Sequence, residues 1–253
     1  MGKPSVLTSI ETTSATTEKR FGRDFMHTLI GQDSRLEPEL VSTSERFKDP
    51  FISLDHFIEE WWAMPIKTYF DGRVTGERFG GPLWKRKSPL ASRGMINHGS
   101  INSRGQKIPS ILWFESRWDK RIDFFTLFRN WISVSKPEIG MLHVFTDEEQ
   151  RSLCSDAGSS FKVGSFGGPA KPGIPNIGWA MAYGGEYLTE VNVEDIKAAG
   201  FPIDRHGDTM IVRVTENLDD VVNDFRLFAR RRAELKRLFK PGLFWTGDEP
   251  WLA

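Results

Sequence analysis

Disulfide chemistry is closed to this chain, because Cys154 is its one cysteine and no intramolecular bridge can form. A free lone thiol also fits a reducing compartment. Charge of one sign is lacking as well. The 34 basic residues are balanced by 34 acidic ones, which argues against a nucleic-acid binder that relies on bulk positive charge. No apolar run nears the ~20 residues of a membrane span. The N-terminus offers Lys3 and the short Val6-Leu7 pair, which is not a signal-peptide core. The expectation is a cytoplasmic protein without membrane or nucleic-acid partners. What the chain has in quantity is aromatic side chains, 19 Phe and 9 Trp. Pairs such as Trp61-Trp62 and Phe124-Phe125 cannot all face one core stripe, so they divide between a large core and half-buried rings or interface anchors.

The last third carries the clearest pattern. Between Ile177 and Tyr183 the bulky Ile177, Trp179, Met181 and Tyr183 alternate with Gly178, Ala180 and Ala182. A strand with one bulky and one bare face follows, and the bare face admits a closely packed helix. Asn192 to Ala199 reads as a short helix ended by Gly200 and Pro202. Met210, Val212 and Val214 mark a second strand. From Leu218 to Phe239 apolar residues recur at helical spacing, acidic near the start and basic near the end, which predicts one long helix stopped by Pro241-Gly242.

Upstream the reading is coarser. Residues 1–20 hold eight Ser/Thr and read as a flexible tail. Arg20 to Ile30 reads as a first strand, with Phe21, Arg23, Phe25, His27 and Leu29 on one face. Leu36 to Arg46 looks helical. Ser53 caps a helix that runs to Trp62. Tyr69 to Asn102 suggests loops and short strands. Ile108 to Glu115 and Met141 to Phe145 read as strands, Asp119 to Val134 as a helix, and Phe161 to Phe166 as another strand. Asp147, Glu148 and Glu149 head a short helix, where negative charge is favoured. The sum is an α+β fold with a mixed or antiparallel sheet packed by helices. After the tail it forms one large domain, residues 21–253, with loosely similar halves at 21–150 and 151–253.

Chemical constellations are weak throughout. In DRHGD, Asp204, His206 and Asp208 alternate and would share a face if extended, a possible metal set; the segment equally reads as a polar turn before a strand. Cys154 with His143 or His206 matches no nucleophile motif. The Gly164–Gly173 run lacks the Walker pattern, since Lys171 is followed by Pro172. Arg230, Arg231 and Arg232 read as a solvated helix face. Neighbouring carboxylates such as Glu59-Glu60 or Glu148-Glu149 point ~100° apart on a helix, unsuited to acid/base pairing. No catalytic, cofactor or metal residue is therefore assigned.

Residues 175–244 resemble the immunity protein 52 family. The matching pieces are PNIGW at Pro175–Trp179, the GGEYL that follows, the short helix ending at Gly200, the strand MIVRVTENL and the helix from Asp219 to Phe244. Residues 1–20 and 67–104 fall outside the match. The resemblance implies a bacterial type VI secretion or polymorphic-toxin immunity protein. Such a protein binds and neutralises a cognate toxin with a restriction-endonuclease-like nuclease domain and does no chemistry itself. A nuclease face must hold phosphates and so is basic. The contacts here are then expected from the exposed carboxylates Asp147, Glu148, Glu149, Glu186 and Glu190, with Trp245 and Trp251 as apolar anchors. Helix-end charge and core packing are the competing roles for the same residues. The alternatives are a hydrolase or nuclease built on Asp204, His206 and Asp208, and an adaptor with another partner.

Overall fold

The computed structural model describes residues 3–102, 104–166, 173–247 and 249. Its strands are β1 (Ser5–Thr12), β2 (Leu40–Ser42), β3 (Asp49–Pro50), β4 (Met64–Phe70), β5 (Arg73–Gly80), β6 (Leu83–Arg86), β7 (Ser92–Asn97), β8 (Ser100–Ile101), β9 (Lys107–Ile108), β10 (Ser110–Arg117), β11 (Ile139–Phe145), β12 (Ala180–Tyr183), β13 (Ile203–His206) and β14 (Thr209–Arg213). The helices are α1 (Lys19–Gln32), α2 (Leu54–Glu60), α3 (Phe124–Ser135), α4 (Asp147–Ser152), α5 (Asp156–Val163), α6 (Val193–Ala198), α7 (Asp220–Asn223) and α8 (Phe225–Lys236). Ten strands form one sheet in the order β13-β14-β12-β11-β1-β10-β7-β6-β2-β3, and every pairing is antiparallel. The sheet draws strands from both halves of the chain, so the expected α+β class holds. The remaining strands make two separate hairpins, β4–β5 and β8–β9.

The supposed N-terminal tail is the middle of this sheet. β1 pairs with β10 on one side and β11 on the other. Its hydroxyls misled the reading: Thr8, Ser9 and Thr12 are buried, not solvated. Ser9 donates to the Gly164 carbonyl at 2.6 Å and Thr12 to the Ser135 carbonyl at 2.6 Å. Buried hydroxyls with backbone acceptors are cheap, and β-branched residues suit a pleated surface.

Helices cover both faces. Pairing places Val6, Thr8, Ile10, Gly140, Leu142, Ala180 and Ala182 on one side. Here α3 lies close: a Cβ on Gly140 would meet Ile132, Ala182 and Ile10. The bare face read from Gly178, Ala180 and Ala182 thus does admit a helix. Beyond α3, α1 and α2 add a ring cluster in which Phe25 stacks on Trp131 at 4.6 Å. The bulky face carries Met141, His143 and Tyr183. Phe161 of α5 and Phe228 of α8 flank His143 at 5.2 and 5.5 Å, and Phe239 lies 5.4 Å from Tyr183.

Four local readings change. Arg20 to Ile30 is helical, because Phe21, Phe25 and Leu29 recur every fourth residue, with Met26 beside them in the core; that is a helix stripe, and charged Arg23 never belonged to it. Leu36 to Arg46 is a short turn followed by β2, since Pro38 disfavours helix at the residue before it. Phe161 lies in α5, which Ser155 caps by accepting the Gly158 N–H and Gly164 closes at φ 64°. The long final helix is two helices: Asp224, at φ −146°, accepts the Leu227 N–H and restarts it. The helix capped by Ser53 stands as read.

Candidate functional site

His143 sits in the middle of a buried charge network. The Trp179 N–H donates to its Nδ1 at 3.1 Å, so the imidazole proton lies on Nε2, which donates to Glu149 at 2.6 Å. The other Glu149 oxygen accepts from Arg232 at 2.7 Å. Arg232 also grips Glu249 with two nitrogens at 2.7–3.0 Å, and Lys236 reaches Glu249 at 2.5 Å. Two carboxylates face two cations around the His143 ring. Burial opposes the charged form of Glu149, but His143 and Arg232 outweigh it and hold the carboxyl well below its ordinary range.

Two expectations fall here. Arg232 is fully buried, not part of a solvated face. Glu149 is equally buried, so it cannot contact a partner. Charge sequence alone cannot separate Arg232 from exposed Arg230. The helical phase could have: Phe225, Phe228, Arg232 and Leu235 lie on one face of α8.

The two carboxylate groups expected to contact a partner lie apart. Asp147 and Glu148 follow Phe145, at the end of β11 beside Ser5. Glu186 and Glu190 follow Tyr183, which pairs with Ile139 at the opposite end of β11. Seven strand residues span ~20 Å, so the two do not act as one patch. Trp245 is partly exposed and covers Gly173, where a Cβ would collide with the indole. It belongs to a C-terminal strap whose Trp245 N–H donates to the Ile174 carbonyl at 2.9 Å. Trp251 lies outside the described residues.

At the Glu186 end the sheet opens into a cleft of 1010 Å³. Glu11, Glu138, Glu186 and Glu190 line it, with Lys107 on the β8–β9 hairpin and Lys240 after α8 on its rim. Among the described residues none of the four carboxylates forms an ion pair; Glu138 accepts a hydrogen bond from Thr13 at 2.9 Å. Glu11 is the floor, nine-tenths buried. Burial pushes its carboxyl up to about 7, against the pull of the Phe166 N–H. Burial and then the Glu11 carboxylate push the neighbouring Tyr187 phenol upward. Glu11 and Glu138 were invisible as site residues in sequence, because one stood in the supposed tail and the other only becomes adjacent through strand pairing.

The Glu11 shift has a consequence for stability. Its folded pKa exceeds the ordinary 4.5, so the folded state holds a proton that the unfolded chain releases. That contribution is complete below about pH 4.5 and is lost as pH rises through about 7. Glu11→Gln should therefore flatten the stability profile in this window and leave the variant more stable than the parent at pH 8. Denaturant midpoints across pH 4–8 measure this, and parallel profiles for the two proteins would contradict it.

DRHGD covers the last three residues of β13 and the turn into β14, at the edge of the sheet. Asp204 pairs with Arg213 at 3.2 Å, His206 bonds to the Ser133 hydroxyl and Asp208 is exposed. Among the described residues no group of three or more His, Cys, Asp or Glu could hold a metal ion, and no helix is long and apolar enough to cross a membrane. Cys154 is exposed, with its thiol on the Arg151 carbonyl.

No family model and no curated protein matches the chain. Its fold is similar to that of the T6SS protein PA0821 of Pseudomonas aeruginosa, with a TM-score of 0.59 over 98% of this chain and 81% of that one, at 12% identity. At that identity the likeness is one of fold.

Proposed function

We propose that the protein is a type VI secretion immunity protein, which neutralises a nuclease toxin by binding it and does no chemistry of its own. The observation that carries the reading is the cleft: Glu138, Glu186 and Glu190, which form no ion pair among the described residues, stand above the buried Glu11 at the end of a covered sheet and present a site for a cationic surface. A nuclease must carry such a surface to hold phosphates. The fold likeness to a T6SS protein and the resemblance of residues 175–244 to immunity protein 52 support the same setting. The acidic character is local, as the net charge of zero argues against a molecule that imitates DNA over its whole surface.

The reading is tested by charge reversal in cells that express the proposed cognate nuclease toxin. Glu186→Lys with Glu190→Lys should lose protection. Asp147→Lys with Glu148→Lys, at the far end of the sheet, should keep it. Surface changes of this kind cost within about 0.5 kcal/mol of stability, so loss of fold does not explain the difference. Full protection by the first pair would sink the proposal.

A further inference from the structure

The floor of the cleft is a carboxyl that the fold does not need. Glu11 lies near the end of β1, where it pairs with Ile111 of β10 and Ile139 of β11. Directly paired residues point to the same face of a sheet, so an isoleucine flanks the carboxyl on either side. The residue is 9% exposed and lines the cleft. It accepts a hydrogen bond from the Phe166 N–H, which leaves acceptor capacity on a group with two oxygens. Among the described residues no cation pairs with it. Lys107 and Lys240 stand exposed on the rim.

A carboxyl in that position is costly, because burial opposes its charge and no cation offsets it. Glutamine would fill the same space without that cost. A group kept at the expense of stability, and opening into a cleft, points to use. The neighbours define the use. Glu138 stands just before β11, and Glu186 and Glu190 belong to the turn Gly185–Glu190. Tyr187 of the same turn presents its phenol to Glu11. Carboxylates on these elements repel an anion. Among the described residues no group of three or more His, Cys, Asp or Glu could hold a metal ion. The remaining occupant is an organic cation on a long apolar stem, which is a lysine or arginine side chain.

We propose that Glu11 is the innermost contact of the cleft: a lysine or arginine side chain of the bound protein passes Glu138, Glu186 and Glu190 and sets its ammonium or guanidinium against the Glu11 carboxylate. This rests on the proposed immunity role and deepens it, by naming the group that holds the cation. The outer carboxylates attract it through water, where salt screens them. Glu11 binds it in a drier place, where the same charges interact more strongly. The pairing requires an ionised carboxylate, whereas burial leaves Glu11 of the free chain half protonated near pH 7. Binding therefore expels a proton and tightens as pH rises through about 7. The Tyr187 phenol, pushed upward by burial and then by Glu11, stays neutral in this window. Among the described residues no histidine lines the cleft.

The probe is acetylated hexalysine, titrated by calorimetry into the full chain at pH 6, 7 and 8, with two buffers of different protonation enthalpy at pH 7. The parent should release about half a proton per chain at pH 7. Its affinity should fall roughly tenfold from pH 8 to pH 6, as the ionised fraction of Glu11 falls by that factor around its midpoint of about 7. Glu11→Gln should bind roughly tenfold more weakly at pH 8, release no proton and show a flat profile. Its thermal midpoint at pH 8 should be no lower than that of the parent, so loss of fold does not explain the change. Equal affinity of the two chains at pH 8, parallel pH profiles, or no binding of the peptide by the parent would each overturn this role of Glu11. None of these touches the immunity role, which falls instead if the parent chain fails to inhibit the nuclease.

Discussion

Removal of residues 1–12 should abolish cooperative folding. A solvated tail can be cut without effect, but β1 supplies the ladder to β10 and β11 together. Val6, Leu7 and Ile10 are each at most 2% exposed. Full burial of such side chains contributes roughly 1.5–3 kcal/mol apiece, so three of them amount to a large share of the 5–15 kcal/mol that holds a typical domain. Their loss comes with unpaired backbone along both neighbouring strands, each group at a cost comparable to a missing hydrogen bond. The truncated chain should show no unfolding transition in denaturant and no protected amides in β10 or β11. A truncated protein with a sharp transition near the parental midpoint would refute the placement of β1.

Arg232→Ala should be the most damaging single substitution on α8, at about 3–5 kcal/mol. The change leaves Glu149 and Glu249 buried with their main cation gone. Lys236 still reaches Glu249, but no cation then remains against Glu149 except through the His143 proton. Arg230→Ala, two residues away and exposed, should cost no more than about 0.5 kcal/mol. The contrast is read from urea midpoints of the two variants. Equal, small effects would show that the network does not hold the core as described. Because Glu249 belongs to it, the same variant should loosen the C-terminal strap, seen as faster exchange at the Trp245 and Thr246 amides, which donate to Ile174 and Pro175.

How far the sequence revealed this fold depended on whether local signals agreed. Where an apolar period and a cap coincided, as in Ser53 to Trp62, the element was legible. The alternation through Ala180 and Ala182 gave both the strand and its close-packed face. Where chemistry and period disagreed, the chemistry misled: Thr8, Ser9 and Thr12 looked like solvent-facing polar residues, although all three are buried and the Ser9 and Thr12 hydroxyls are satisfied by carbonyls from Gly164 and Ser135. The charge on Arg232 hid its place on the apolar phase of α8. Long-range pairing was out of reach for a different reason. Only the register of β11 shows that Asp147 and Glu186 lie at opposite ends, and only strand pairing brings Glu11 and Glu138 beside Glu186. Half of the acidic cleft was therefore legible as exposed carboxylates, and half existed only in the folded chain.

On the proposed function, this chain silences a nuclease by occupying it at the acidic end of the sheet. The direct measurement is DNA cleavage by the purified nuclease domain of the proposed cognate toxin, followed while this protein is titrated in. Cleavage should fall with each addition and stop near equimolar ratio, and the Glu186→Lys, Glu190→Lys variant should need a large excess to do the same. Cleavage that continues unchanged in a severalfold excess of the wild-type protein would contradict the claim.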